Sequence, residues 1–137
     1  MSYTKIWGNN GIRLSDIPNG MYEALKNMNS SKETITSAVF NDNGDWIVIS
    51  EQHYNASSQE LLNLIQEGAK QYGHVYSACL TNDAMVVVYD KGYKFRGNVP
   101  ESLRKALTDA KIDVYRIKIA GDSWFFADKE GNYRMSL

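Results

Sequence analysis

Few residues in this chain could carry out acid–base, thiol or metal chemistry. The histidines are His53 and His74, and the one cysteine is Cys79. The spacings typical of metal sites, CxxC, HxH and HExxH, are missing from the sequence. The odd offset of five residues from His74 to Cys79 places these two side chains on opposite faces of a strand. We therefore interpret all three residues as structural and predict no metal site and no cofactor.

Motifs for phosphate binding and nucleophilic catalysis are missing as well. The sequence contains no GxGxxG, no P-loop pattern and no GxSxG. Aspartates such as Asp42 and Asp83 lie in predicted turns without the EF-hand spacing, and tight-turn backbone angles account for them. The sequence therefore favours a protein that is not an enzyme. An enzyme with a site near His53 or His74 is the third alternative.

Aromatic and basic side chains alternate in the C-terminal third of the chain. Residues 91–137 carry ten basic and six acidic side chains, whereas residues 1–90 carry five basic and ten acidic ones. Such alternation on strands can bind single-stranded nucleic acid, but the net charge of −1 disfavours a generally basic nucleic-acid binder. We predict instead a protein-binding surface formed by Tyr93, Lys94, Phe95, Arg96, Tyr133 and Arg134.

An internal repeat organises the whole chain. Trp7, Trp46, Met85 and Trp124 recur every 39 residues. Each lies in a short run typical of a β-strand, and a turn and a second short run follow it. In the second runs apolar and polar residues alternate, which predicts half-buried strands. A repeat of this length indicates one supersecondary unit used several times.

Three predicted helices follow the first three strand pairs. The first helix extends from Pro18 to about Met28, the second begins at the capping-box pattern of Ser57 and Glu60, and the third begins at Pro100. A further strand follows each helix, and the three predicted strands are Ile35 to Phe40, Val75 to Leu80 and Val114 to Ile119.

The predicted fold class is α+β, with an antiparallel sheet built from three tandem helix–β-meander repeats. We place the repeats at about residues 16–57, 58–96 and 97–137 of a single domain, 1–137, after an N-terminal hairpin at 3–15. The sequence leaves open whether the repeats form one long sheet, a pseudo-threefold ring or a closed barrel. The hairpin could close the ends by pairing with the C-terminal strand, which would remove an exposed edge.

One stretch of the chain resembles tandem repeats of uncharacterised bacterial proteins. It contains Ile17-Pro18, a helix with Leu25, then Val39-Phe40 and, after a glycine turn, Trp46-Ile47-Val48. The order of a helix followed by a meander is also similar in outline to the repeat of β-lactamase-inhibitor-like proteins of the bacterial envelope. These resemblances imply a bacterial repeat protein, and neither family supplies an assigned catalytic residue.

Composition limits the class of protein. The chain has 137 residues, 43% of them hydrophobic, which is enough for a core without disulfides. One cysteine fits a reducing compartment, and we see neither a signal peptide nor an apolar run of membrane length. We therefore predict a cytoplasmic, non-catalytic interaction or scaffold module that binds a protein partner or itself, with no membrane partner. The alternative is a small-molecule or carbohydrate-binding domain that uses the repeated Trp and Tyr positions.

Overall fold

The structure, a computed structural model, describes residues 3–7, 11–15, 17–110 and 113–136. For residues 3–7 and 11–15 it describes the backbone. The predicted α+β class is confirmed, because three helices alternate with three antiparallel, three-stranded sheets in the described residues. A hairpin precedes the first helix and forms a two-stranded sheet of its own.

Each repeat consists of one helix followed by three strands, and we call these repeats units 1, 2 and 3. The hairpin that precedes them consists of β1 (Tyr3–Trp7) and β2 (Gly11–Ser15). Unit 1 consists of α1 (Met21–Ser30), β3 (Ile35–Phe40), β4 (Trp46–Ser50) and β5 (Tyr54–Ala56). Unit 2 consists of α2 (Gln59–Tyr72), β6 (Val75–Leu80), β7 (Ala84–Tyr89) and β8 (Gly92–Gly97). Unit 3 consists of α3 (Glu101–Asp109), β9 (Arg116–Ala120), β10 (Ser123–Ala127) and β11 (Tyr133–Met135).

Helices α2 and α3 each lie between two sheets. Leu61 and Ile65 of α2 belong to one buried cluster with Ile47 and Ile49 from the sheet of unit 1, and also with Val87 from their own sheet. In the same way α3 packs against the sheets of units 2 and 3. The middle strands of units 1 and 2 are consequently buried on both faces, and every residue of β4 and β7 is buried. The sequence of such a strand is a continuous apolar run rather than an alternation of apolar and polar residues.

Side chains connect the first strands of units 1 and 2. The Thr36 hydroxyl donates to the carbonyl of Tyr76 at 3.1 Å, and the Asn41 amide donates to the carbonyl of Thr81 at 3.0 Å. In the adjoining turns, the backbone N–H of Asp42 donates to Oδ1 of Asn82 at 2.9 Å. All three bonds join residues 40 positions apart. Strand β3 therefore lies alongside β6 with equivalent residues facing each other.

The units do not close into a barrel or merge into one long sheet. Strand β11 pairs only with β10 among the described strands, and β1 pairs only with β2. The expected pairing of the hairpin with the C-terminal strand is therefore wrong. The physical reason is that neighbouring units contact each other through side chains, as β3 and β6 do through Thr36, so that no backbone ladder joins described strands of different units. The hairpin turn, residues 8–10, lies outside the described residues.

Two helix starts differ from the expected ones. Helix α1 begins at Met21 rather than Pro18, because Gly20 has a φ of 86°, a left-handed conformation that a right-handed helix does not accept. Helix α2 is capped by Ser58, whose hydroxyl accepts the Leu61 N–H. Ser57 instead accepts the backbone N–H of Trp46 at 3.0 Å. Its hydroxyl thus joins the end of one strand to the start of another.

Gly68 on α2 provides a test of how closely helix and sheet approach. A methyl group at this position would overlap the hydroxyl and Cζ of Tyr89, whose own hydroxyl donates to the carbonyl of Ile65 at 3.0 Å. We expect Gly68→Ala to lower the free energy of unfolding by about 1–3 kcal/mol, although alanine is the better helix former by about 0.8–1.0 kcal/mol. Denaturant unfolding measures the change. Glu67→Ala is the exposed control, and a Gly68→Ala variant at least as stable as wild type would contradict the close approach.

Asn82 provides a test of the contact between units. Its side chain accepts from Asp42 N–H and donates to the Asp42 carboxylate at 3.1 Å, both in the neighbouring unit. We expect Asn82→Ala to reduce the unfolding free energy by about 1 kcal/mol, because two hydrogen bonds are lost at an exposed site. The control is Asn63→Ala, which removes an amide that bonds to Gln59 within α2. Equal effects of the two substitutions would argue against a role for Asn82 in holding the units together.

Candidate functional site

The strand register of unit 3 defines a surface that we call the outer face. Lys118 pairs with Phe125 and Phe125 with Met135, while Arg116 pairs with Ala127 and Ala127 with Tyr133. Residues that oppose each other in antiparallel strands point to the same side of a sheet. The outer face therefore consists of Arg116, Lys118, Phe125, Ala127, Tyr133 and Met135.

The same face is covered in the first two units. By register, the equivalent positions of unit 1 are Ser37, Val39, Ile47, Ile49, Tyr54 and Ala56. Those of unit 2 are Ser77, Cys79, Val86, Val88, Tyr93 and Phe95. All of these residues are buried or half-buried, because α2 and β6 pack on the first set and α3 and β9 on the second. None of the described elements packs in this way on the outer face of unit 3.

Large apolar side chains are consequently exposed on the outer face. Tyr133 is 62% exposed and Met135 is 49% exposed, and both belong to the few large apolar residues that the described surface exposes. The ring of Tyr133 stacks on that of Phe125 with 5.9 Å between centroids. Two exposed cations, Arg116 and Lys118, lie beside these residues on β9. Apolar surface bordered by charge is typical of protein interaction sites.

The structure distributes the six predicted binding residues over several faces. Tyr93 and Phe95 stack on each other at 6.2 Å and pack against the cluster around α3, with Arg104 of that helix 4.8 Å from the Phe95 ring. Burial, with a smaller effect of Asp113, raises the pKa of Tyr93 above its usual value of 10.0. These two aromatic side chains are therefore part of an internal interface rather than an open surface.

The basic residues of the predicted surface point the other way. In β8, Lys94 and Arg96 alternate with the aromatic residues and so lie on the side of α2, where Arg96 pairs with Glu60 at 3.2 Å. Arg134 donates to the carbonyl of Ala106 in α3 at 3.3 Å. Tyr133 is the one predicted residue that the register places on the outer face. Sequence reasoning missed Phe125, Met135, Arg116 and Lys118 as a group, although aligning the strands of the three units would have placed them on one side.

The tryptophans of the repeat belong to the core where their side chains are described. Trp46 is 6% exposed and Trp124 is 8% exposed, and each lies on the helix of its own unit. The indole N–H of Trp46 donates to the carbonyl of Asn19 at 3.1 Å, and that of Trp124 donates to the Ser102 hydroxyl at 2.9 Å. These satisfied N–H groups fix the start of each helix against its sheet.

The two histidines line one shallow groove of about 260 Å³. Nδ1 of His53 lies 2.8 Å from Oε1 of Glu33, and the same carboxylate accepts the Ser50 hydroxyl proton. A serine nucleophile would need its hydroxyl to donate a hydrogen bond to the imidazole of a histidine. Here the Ser50 hydroxyl donates to the Glu33 carboxylate instead, and Ser50 is 1% exposed. The arrangement connects the β4–β5 turn to the segment before β3 and is structural.

Cys79 is buried, and several acidic residues line a surface groove. Burial raises the pKa of the Cys79 thiol above 9.0, which keeps it protonated and unreactive. A groove of about 460 Å³ is lined by Tyr76 and Tyr115, with Asp113, Asp128 and Glu130 among its polar residues. Among the described residues, no group of three or more His, Cys, Asp or Glu side chains is placed to hold a metal ion.

The fold and this surface together define a tandem helix–meander repeat protein with an open terminal sheet face. No family model matches the chain, and neither a curated protein nor a solved structure is significantly similar to it. Within the part of the chain that the structure describes, the helices are too short or too polar to span a membrane.

Glu33 makes stability depend on pH. Hydrogen bonds from Ser50 and then His53 lower the pKa of Glu33 below its ordinary value of 4.5. A carboxyl group with a lowered folded-state pKa stabilises the fold above its unfolded pKa, and this contribution is lost as the pH falls through the folded value. We expect the difference in unfolding free energy between wild type and Glu33→Gln to narrow below about pH 4.5. Urea unfolding from pH 3 to pH 7 is the measurement, with Glu67→Gln as the exposed control. Parallel curves for wild type and Glu33→Gln would contradict the prediction.

Proposed function

We propose that this chain is a non-catalytic protein-interaction module and that it binds through the outer face of unit 3. The observation that carries the proposal is the difference between equivalent faces. Ile47 and Ile49 are fully buried under α2, and Val86 and Val88 are buried under α3. On the last sheet their counterparts are Phe125, which is half-buried, and Ala127, which is buried. The difference lies on the last strand, where Tyr133 and Met135 are 62% and 49% exposed, whereas the equivalent residues of the first two units are buried or half-buried.

Exposed aromatic and methionine side chains on a rigid sheet suit protein recognition. Tyr and Met are enriched at interface cores, and Tyr buries much area there for little conformational entropy. The outer face is held in place by the core beneath it, because Phe126 and Trp124 of the same strand pack on α3. A partner would thus meet a surface that needs little ordering on binding, which lowers the cost of association.

The other two candidate functions have less support. A ligand site built on the repeated tryptophans would need open indole rings, whereas Trp46 and Trp124 are buried with their N–H groups bonded. An enzyme centred on His53 or His74 would need a nucleophile or metal near them, and Ser50 is bonded away from the imidazole. The predicted partner is therefore a protein, or a second copy of this chain, rather than a substrate.

Photo-crosslinking from the outer face tests the proposal. We expect benzoylphenylalanine in place of Tyr133, in the full chain expressed in its native cells, to give a discrete adduct of defined mass. The same probe in place of Tyr22, which is 50% exposed on α1, is the matched control and should give none.

A second substitution ties the adduct to the surface. Adding Met135→Lys should abolish the Tyr133 adduct, while the stability of the fold should change by less than about 0.5 kcal/mol because the side chain is exposed. An adduct that persists with Met135→Lys, an identical adduct from Tyr22, or no adduct from Tyr133 would each overturn the proposed surface.

A further inference from the structure

The internal packing of the chain also indicates what kind of partner the outer face fits. We propose that it binds an amphipathic helix of a partner protein, whose apolar stripe covers Phe125, Tyr133 and Met135 and whose carboxylates face Arg116 and Lys118. This inference rests on the proposed function, since it specifies the occupant of the same surface.

The helix is indicated by the two equivalent faces within the chain. On unit 1, Leu61 and Ile65 of α2 cover Ile47 and Ile49, and on unit 2, Leu103 of α3 belongs to the cluster of Val86 and Val88. A face of three strands spaced about 4.8 Å apart is roughly 10 Å wide, which is about the diameter of one helix with its side chains. The following helix thus covers part of such a face twice in this chain, and the first strand of the following unit covers the rest.

Carboxylates are indicated by a change of residue type at two positions. The positions of Arg116 and Lys118 are occupied by Ser37 and Val39 in unit 1 and by Ser77 and Cys79 in unit 2. There the small or apolar side chains lie under the following unit. A purely apolar partner on unit 3 would desolvate two cations without compensation, which is costly, whereas acidic side chains would pair with them.

The same cations disfavour a second copy that docks by its own outer face. A two-fold pairing of these faces would bring Arg116 and Lys118 of both copies into one interface, and like charges there oppose association. Helix α2 shows the favoured combination within the chain. It carries a stripe of Leu61 and Ile65, and Glu60 in its first turn pairs with Arg96 on a strand.

A peptide copied from α2 is therefore a suitable probe. Residues 57–73 retain the Ser58 cap and the apolar stripe, and a hydrocarbon staple that replaces the exposed Gln66 and Lys70 holds the peptide helical. We expect saturable binding of the fluorescein-labelled peptide to the full chain in an anisotropy titration. Phe125→Glu in the chain should weaken this binding at least about tenfold, through loss of apolar contact and a new like charge.

Two further changes separate the apolar part from the charged part. A matched peptide with Leu61→Gln and Ile65→Gln keeps the charge and should not bind. Arg116→Gln with Lys118→Gln in the chain should weaken binding of the original stapled peptide and flatten the dependence of this binding on salt, because the ion pairs that salt screens are then absent. Binding that is indifferent to Phe125→Glu, or equal for both peptides, would overturn the inference.

The remaining outcomes distinguish the two proposals. If Tyr133 crosslinks to a partner but the stapled peptide does not bind, the interaction surface stands and the helical occupant is wrong. If neither is observed, the proposed function itself is wrong. A concentration-dependent dimer of the full chain that Phe125→Glu abolishes would identify a second copy as the occupant and would overturn the partner helix.

Discussion

Each three-stranded sheet in this chain has two faces to cover and only one helix of its own. Burial of apolar surface stabilises the folded state by about 25 cal/mol per Å². An apolar sheet face that nothing covers therefore lacks this stabilisation. The chain solves this by sharing α2 and α3 between their own sheets and the preceding ones. Burial of every residue of β4 and β7 follows directly from that sharing.

Sharing alone does not fix how one unit is rotated against the next. The polar contacts between β3 and β6 do so, because Thr36, Asn41 and Asn82 each require one particular partner in the other unit. Hydrogen bonds are directional, whereas apolar contact tolerates sliding. The members of each pair are 40 residues apart, one more than the 39-residue spacing of the Trp positions. Units 2 and 3 continue the arrangement, with the Cys79 sulfur close to the backbone of Ile119.

Much of the fold could be predicted from periodicity. The 39-residue spacing of the Trp positions predicted the unit, and strands such as Ile35–Phe40 and Val75–Leu80 have the expected bounds. Whether the sheet closes could not be predicted, because a sequence pattern indicates which residues are buried but not which element buries them. Tyr93 and Tyr133 have the same pattern, yet one lies under α3 and the other is exposed. The difference in burial between these two tyrosines depends on whether another unit follows, and the local sequence pattern carries no information about that.

The six residues predicted to bind a partner do not form one surface, for a related reason. Alternation along β8 places Phe95 and Arg96 on opposite faces, so that neighbours in sequence serve different interfaces. A contiguous surface on a sheet comes from residues on different strands, such as Phe125 and Met135, which register brings together. Register could be inferred only after the three units had been aligned with one another.

The shared helices have a consequence for how such a chain can change its length in evolution. Unit 2 presents α2 on one side, where it packs on the sheet of unit 1, and a sheet face on the other, where α3 packs on it. An in-frame duplication of unit 2 would therefore create a junction between α2 and the face of Val86 and Val88 without requiring a new type of contact. Growth by whole units is open to this architecture, and insertion of half a unit is not, because it would leave a sheet without its helix.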